Sequence, residues 1–185
     1  MGSPIGSKRN VKIFVLYLMQ NVHTPLDYIT LGEMVMQTDF VAYLDLAEAF
    51  HEMADDGLIM AVDQNEKGED RYIPTAKGLC VAESMRSDLL PSILDESLAA
   101  ALRYLDFKRR GVKVSCRTEK NPDGTGYYIH CTVTEKEMTL MSVTLWVDSE
   151  LRANRMADRF RGKPESVYRG VTALLAGNVD YLLNG

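Results

Sequence analysis

Apolar residues recur at helical spacing through the first part of the chain and alternate with polar ones in its third quarter. Residues 8–21 carry the first helical pattern, with Ile13, Leu16, Tyr17 and then Met19 or Gln20 on one face. His23-Thr24-Pro25 ends it. Thr30 and Glu33 form a T-x-x-E capping box, predicting a second helix to about residue 38 with Leu31, Met34 and Val35 inward. A third helix is expected with Asp45 as N-cap and Glu48 at the third helical position. Its buried stripe is Leu46, Ala49, Phe50 and Met53, and Gly57 supplies the left-handed residue that stops it. Residues 58–62 and 71–73 read as two strands joined by a polar turn over residues 65–68. Thr75 then caps a fourth helix to about residue 87.

Pro91 suits the first turn of a long helix with Leu94, Leu98, Ala101, Leu102 and Leu105 on one stripe. It ends near Lys108-Arg109-Arg110-Gly111. The period then changes to two. Val112, Val114 and Cys116 alternate with polar residues, Asn121-Pro122-Asp123-Gly124 makes a turn, and Ile129, Cys131 and Val133 return. A turn near residues 135–137 leads to Met141, Val143, Leu145 and Val147. Three antiparallel strands need a cover for their apolar face, and helices over about 149–161 and 164–176 supply it. The fold expected is α+β. A flexible leader (1–7) precedes an N-terminal domain (8–89) with the helix–helix–helix–hairpin layout of a winged helix-turn-helix. A small C-terminal domain (90–185) has a three-stranded antiparallel sheet covered by helices and serves dimerisation or effector sensing.

The chain has 185 residues, 46% of them hydrophobic and 25% charged, enough for one or two small domains with real cores. No apolar run reaches the roughly 18 residues needed to span a bilayer. No signal peptide is expected either, so a cytoplasmic protein without membrane contact is the reading. Cys80, Cys116 and Cys131 lack C-x-x-C spacing and read as reduced thiols, not metal ligands. A formal charge of −5 argues against wholesale coating of nucleic acid but leaves room for a local basic face.

Arg71-Tyr72-Ile73-Pro74-Thr75-Ala76-Lys77-Gly78 resembles the aromatic-x-aliphatic-Thr-x-x-Gly end of the wing in many bacterial winged-helix regulators. Further stretches are Lys12-Ile13-Phe14-Val15-Leu16-Tyr17, Pro25-Leu26, Glu52-Met53-Ala54-Asp55-Asp56-Gly57-Leu58-Ile59, Pro91 to Leu94, Val167-Tyr168 and Leu174-Leu175. Through them residues 8–178 are similar to a winged-helix family of Firmicutes-type bacteria that is catalogued only as a domain of unknown function. The resemblance implies a transcriptional regulator. Relatives tend to place Thr and Gln at the start of the third helix, where this chain has Asp45, Ala47 and Glu48.

In a helix-turn-helix, the outward residues at the start of the third helix meet base edges. Here these are Ala47, Glu48, His51 and Glu52. Bases are usually read by Arg, Lys, Asn or Gln, whereas Asp39, Asp45, Glu48, Glu52, Asp55 and Asp56 form an acidic set. Lys8, Arg9 and Lys12 at the first helix, with Lys67 and Arg71 on the hairpin, are the candidates for phosphate contact. Ordinary solvated charge is the other reading of Lys67. Arg152, Arg155 and Arg159 lie on one helix face, either a second basic face for an anion or partner or a solvated side paired with Glu150 and Asp158.

Catalytic motifs are missing, and the chain is not read as an enzyme or as needing a cofactor. Cys116 faces Cys131 if the Asp123-Gly124 turn is a two-residue loop, and His130 if the turn carries a bulge. Neighbouring residues on a strand point to opposite faces, so His130 and Cys131 do not share a site. Leu94, Leu98, Leu102 and Leu105 pack on the chain's own domains or pair two subunits. Leu140 and Trp146 are covered by the long helix or exposed to a partner. The function expected is DNA-binding transcription regulation on double-stranded DNA by a homodimer, with a small-molecule effector or protein partner also possible. The alternative is a winged-helix protein-interaction module that does not bind DNA.

Overall fold

The structure, a computed structural model, describes residues 3–179. Met1, Gly2 and the last six residues, which fall in the expected leader and C-terminal domain, lie outside the described residues. The described residues form a mixed α and β protein with seven α-helices and two three-stranded antiparallel sheets. The chain divides into two compact units, one ending at Leu105 and the other beginning at Asp106.

The first unit is built around α1 (Lys8–Val22), in which Val11 and every residue from Ile13 to Met19 are buried. A helix that is apolar on most sides belongs in the middle of a core. Its C-cap, His23, takes a left-handed conformation (φ 51°) and turns the chain into β1 (Leu26–Asp27). α2 (Tyr28–Val35) follows at once, then α3 (Tyr43–Asp55), β2 (Ile59–Gln64), β3 (Asp70–Pro74) and α4 (Ala76–Ser84). The strand order is β1-β3-β2. β1, two residues long and preceded by Pro25, was not foreseen from the sequence. It pairs Leu26 with Tyr72 and Asp27 with Arg71. Phe50 of α3 ties these parts together, meeting Tyr28 edge-on at 4.8 Å and Tyr72 at 5.0 Å.

Both expected N-caps move. α2 is capped by Asp27, whose carboxylate accepts from the Thr30 backbone N–H at 2.8 Å, so Thr30 lies inside the helix. α3 starts after Ala42, which offers no capping side chain, and Asp45 is its third residue. The Asp45 carboxylate instead accepts from the Ser3 N–H at 2.7 Å and the Ser3 hydroxyl at 2.5 Å. Residues 3–7, expected to be a flexible leader, accordingly carry two buried side chains, Ser3 and Ile5. The Ile5 N–H donates to the Phe40 carbonyl and Ser3 Oγ accepts from the Ala42 N–H, which supplies part of the missing cap.

Thr75 caps α4 as expected, accepting from the Gly78 N–H at 3.1 Å. Its hydroxyl also donates to the Gly57 carbonyl at 2.8 Å. Gly78 lies against the Leu58 backbone, where a Cβ would fall 2.1 Å from the carbonyl oxygen. The Thr-x-x-Gly spacing is therefore a packing device that seats α4 on the start of the hairpin.

After a 3₁₀ turn at Arg86–Asp88, α5 (Pro91–Arg109) begins. Leu94, Ala101 and Tyr104 are buried in the first core, with Leu98 and Leu105 packed against it. Most of this helix belongs with the N-terminal unit, so the expected boundary at 89/90 shifts to 105/106.

In the second unit, β4 (Val112–Lys120), β5 (Tyr127–Glu135) and β6 (Met138–Val147) form an antiparallel sheet in sequence order. Cys116 pairs with Cys131, so the first of the two registers holds. Lys136, at φ 54°, makes the tight turn into β6. α6 (Glu150–Gly162) lays Ala153, Ala157 and Phe160 on the sheet, and α7 (Pro164–Leu175) follows. Among the described residues, no helix is long and apolar enough to cross a membrane.

Candidate functional site

The surface of α3 facing α1 is an ion-pair ladder. Lys8 and Lys12 are one helical turn apart on α1, and Glu48, Glu52 and Asp56 are one turn apart on α3 and its C-cap. Lys8 Nζ lies 2.8 Å from Glu48 and 3.0 Å from Glu52. Lys12 Nζ lies 2.7 Å from Glu52 and 3.2 Å from Asp56. The contacts raise both lysine pKa values above the ordinary 10.5, through hydrogen bonds to Glu48 and Glu52 for Lys8 and to Glu52 for Lys12. The same bonds, from Lys12 first and then Lys8, hold Glu52 below its ordinary 4.5.

The other expected phosphate contacts fare similarly. Arg9 pairs with Asp88 at 2.8 Å. Arg71 clasps Asp63 across the hairpin with Nε at 2.6 Å and Nη2 at 2.5 Å. Lys67 alone of the five makes no ion pair among the described residues. It sits exposed at the hairpin tip, where its N–H donates to Asn65 Oδ1 at 2.9 Å. Of the expected groove-facing residues, Glu48 and Glu52 turn to α1, Ala47 is half-buried, and His51 is exposed beside Phe50.

The exposed start of α3 is apolar instead. Leu44 is 74% and Tyr43 57% exposed, and Ile29 at the start of α2 is 51% exposed. Sequence reasoning missed Tyr43 and Leu44, because it began the helix at Asp45. Residues 1–105 hold eight Lys and Arg against sixteen Asp and Glu, while residues 106–185 hold thirteen against ten. The acidity thus belongs to the unit that carries α3.

On α6, Arg152 lies 3.6 Å from Asp148, and Arg161 pairs with Asp158 at 3.0 Å while donating to the Cys116 carbonyl at 2.6 Å. Arg155 and Arg159 make no ion pair among the described residues. The Cys116 and Cys131 sulfurs are 2.9 Å apart, and burial pushes the Cys131 thiol up to about 12. His130, on the opposite face, reaches Thr144 Oγ1 at 3.0 Å. Of the leucines on the long helix, only Leu102 is exposed. Trp146 is exposed and lies over Gly126, donating to the Thr125 carbonyl at 3.0 Å. Among the described residues, no group of three or more His, Cys, Asp or Glu could hold a metal ion.

Residues 11–175 match a family model described as "Domain of unknown function (DUF4364)". The chain belongs to this family. The match takes in α1 from Val11 onward, with Lys12 but not Lys8, the whole of α3 and the hairpin, and the second unit through α7. No curated protein matches the chain.

Proposed function

We propose that residues 8–89 form a winged helix-turn-helix used to recognise a protein, not to read duplex DNA. The order of three helices, hairpin and helix supports the winged-helix reading, as does the Thr75–Gly78 junction that seats α4 on the hairpin. The observation that carries the interaction reading is the Lys8–Lys12 ladder on Glu48, Glu52 and Asp56. Phosphate neutralisation drives DNA affinity, and these cations already face carboxylates within a unit whose acids outnumber its bases two to one. What α3 offers outward is Tyr43 and Leu44, with Asp39 exposed ahead of the helix and Glu48 exposed on it though paired with Lys8. The matching partner is a protein surface with an apolar centre and a Lys/Arg rim. The cytoplasm is the compartment this reading assigns, where the three thiols stay reduced.

The test has two arms. Fluorescence anisotropy with random-sequence duplex DNA should show no binding at low salt. Binding that falls steeply with salt and disappears in a Lys12→Glu, Arg71→Glu variant would replace this proposal with the regulator. A photo-crosslinking residue at position 44 should form protein adducts in cells, while one at position 66 on the hairpin should not; nucleic-acid adducts at 44 would overturn it. The second reading, a DNA-binding regulator acting as a homodimer, is favoured by Lys67, the exposed and unpaired cation at the hairpin tip.

A further inference from the structure

The second unit contains a groove of about 230 Å³ bounded by the sheet, α6 and α7. Met141, Val143 and Leu145 of β6 form its floor, Met156 and Phe160 of α6 one wall, and Val171 of α7 the other. Its origin is geometric. α6 buries Ala153, Ala157 and Phe160 on the sheet, but Leu145 at the β6 end stays 47% exposed and Val167 of α7 37% exposed. Among the described residues, one charged side chain, Arg159, borders the groove, and no Asp or Glu does. Arg159 is exposed and makes no ion pair among the described residues, unlike its neighbours Arg152 and Arg161.

We propose that this groove binds a small hydrophobic monocarboxylate, its apolar body against β6 and its carboxylate on Arg159. The chemistry follows from the lining. Apolar walls with a few polar groups are the usual composition of a small-ligand site. Here the walls are apolar, Arg159 lends them its aliphatic stem, and its exposed guanidinium would meet a ligand at the mouth. A guanidinium with free donors matches a carboxylate in geometry and sign. Size sets the length. A dry cavity of about 150 Å³ accepts benzene, so this groove takes a ligand of about ten heavy atoms, the size of octanoate or a phenylpropionate. Its volume is too small for an extended peptide or a long acyl chain.

Isothermal titration of the full chain with octanoate, 1-octanol and octylammonium tests this. Octanoate should bind one to one, octanol about tenfold more weakly, and octylammonium not measurably. Arg159→Gln, on an exposed helix face, should bring octanoate down to the octanol affinity and leave octanol unchanged. Leu145→Trp, at a half-exposed position, should fill the groove and abolish binding of both; circular dichroism checks that each variant is folded. Equal affinity for octanoate and octanol, octanoate binding that survives Leu145→Trp, or no binding at about 1 mM ligand would overturn the proposal. So would a dimer in sedimentation that Leu145→Trp dissociates and octanoate does not, since a second copy would then be the occupant.

Discussion

Replacing Gly78 by Ala tests the junction between α4 and the hairpin. The new Cβ would lie 2.1 Å from the Leu58 carbonyl oxygen, 3.1 Å from its carbon and 3.2 Å from Leu16 Cδ2, whereas real Cβ contacts essentially never fall under 3.0 Å. The oxygen belongs to backbone and has no rotamer in which to retreat. It also accepts from the Thr75 N–H at 2.9 Å, so opening the junction by about 1 Å breaks that bond and disturbs the cap of α4. Overpacking costs about 1–3 kcal/mol and the lost hydrogen bond about 1 kcal/mol. Better helix propensity returns about 1 kcal/mol. The net expectation is a loss of about 2 kcal/mol, or about 1 M in the urea midpoint for a slope near 2 kcal/mol/M. Far-UV circular dichroism in a urea series measures it. Gly57→Ala is the control. Nothing lies within 4 Å of its Cβ, so only the left-handed backbone (φ +67°) is penalised, at about 1 kcal/mol. A Gly78→Ala protein as stable as the parent, or more stable than Gly57→Ala, would refute the close-packed junction.

Two further outcomes follow from the charges and thiols. Glu52 is held below 4.5 by Lys12 and Lys8, and Asp45 below 3.8 by the Ser3 hydroxyl and N–H. Because these folded-state values are depressed, their stabilisation is fully present above the ordinary carboxylate values and is lost as pH falls through the lowered ones. The urea midpoint should therefore drop between pH about 5 and about 3, and Glu52→Gln should flatten the slope; a parallel pH profile for the variant would acquit the ladder. Cys116 and Cys131, with sulfurs 2.9 Å apart, should close to a disulfide when an aromatic disulfide reagent oxidises them, lowering the intact mass by about 2 Da once the exposed Cys80 is reduced or blocked. Recovery of both thiols as separate mixed adducts would contradict the cross-strand register.

Periodicity and punctuation were enough for much of the fold. The helical spacing of Ile13, Leu16 and Tyr17 marked the central helix, Thr75 marked the cap of α4, and alternation fixed the faces of β4, β5 and β6. These are local properties, set by the turn angle of a helix or the pleat of a strand, and a chain displays them before it folds. The caps at Thr30 and Asp45 misled because a carboxylate accepts from whichever donor arrives first in space. For Asp45 that donor is Ser3, forty-two residues away. The same reason governs the site. Lysines four apart on one segment and acids four apart on another were visible in the sequence, Lys8 and Lys12 reading as phosphate contacts, Glu48 and Glu52 as groove-facing, and Asp56 only as part of an acidic set. Only the packing of α1 beside α3 brought their charges within 3.2 Å and turned two candidate contacts into one internal ladder. The groove beside Arg159 is likewise a distance between three elements, which no residue encodes alone.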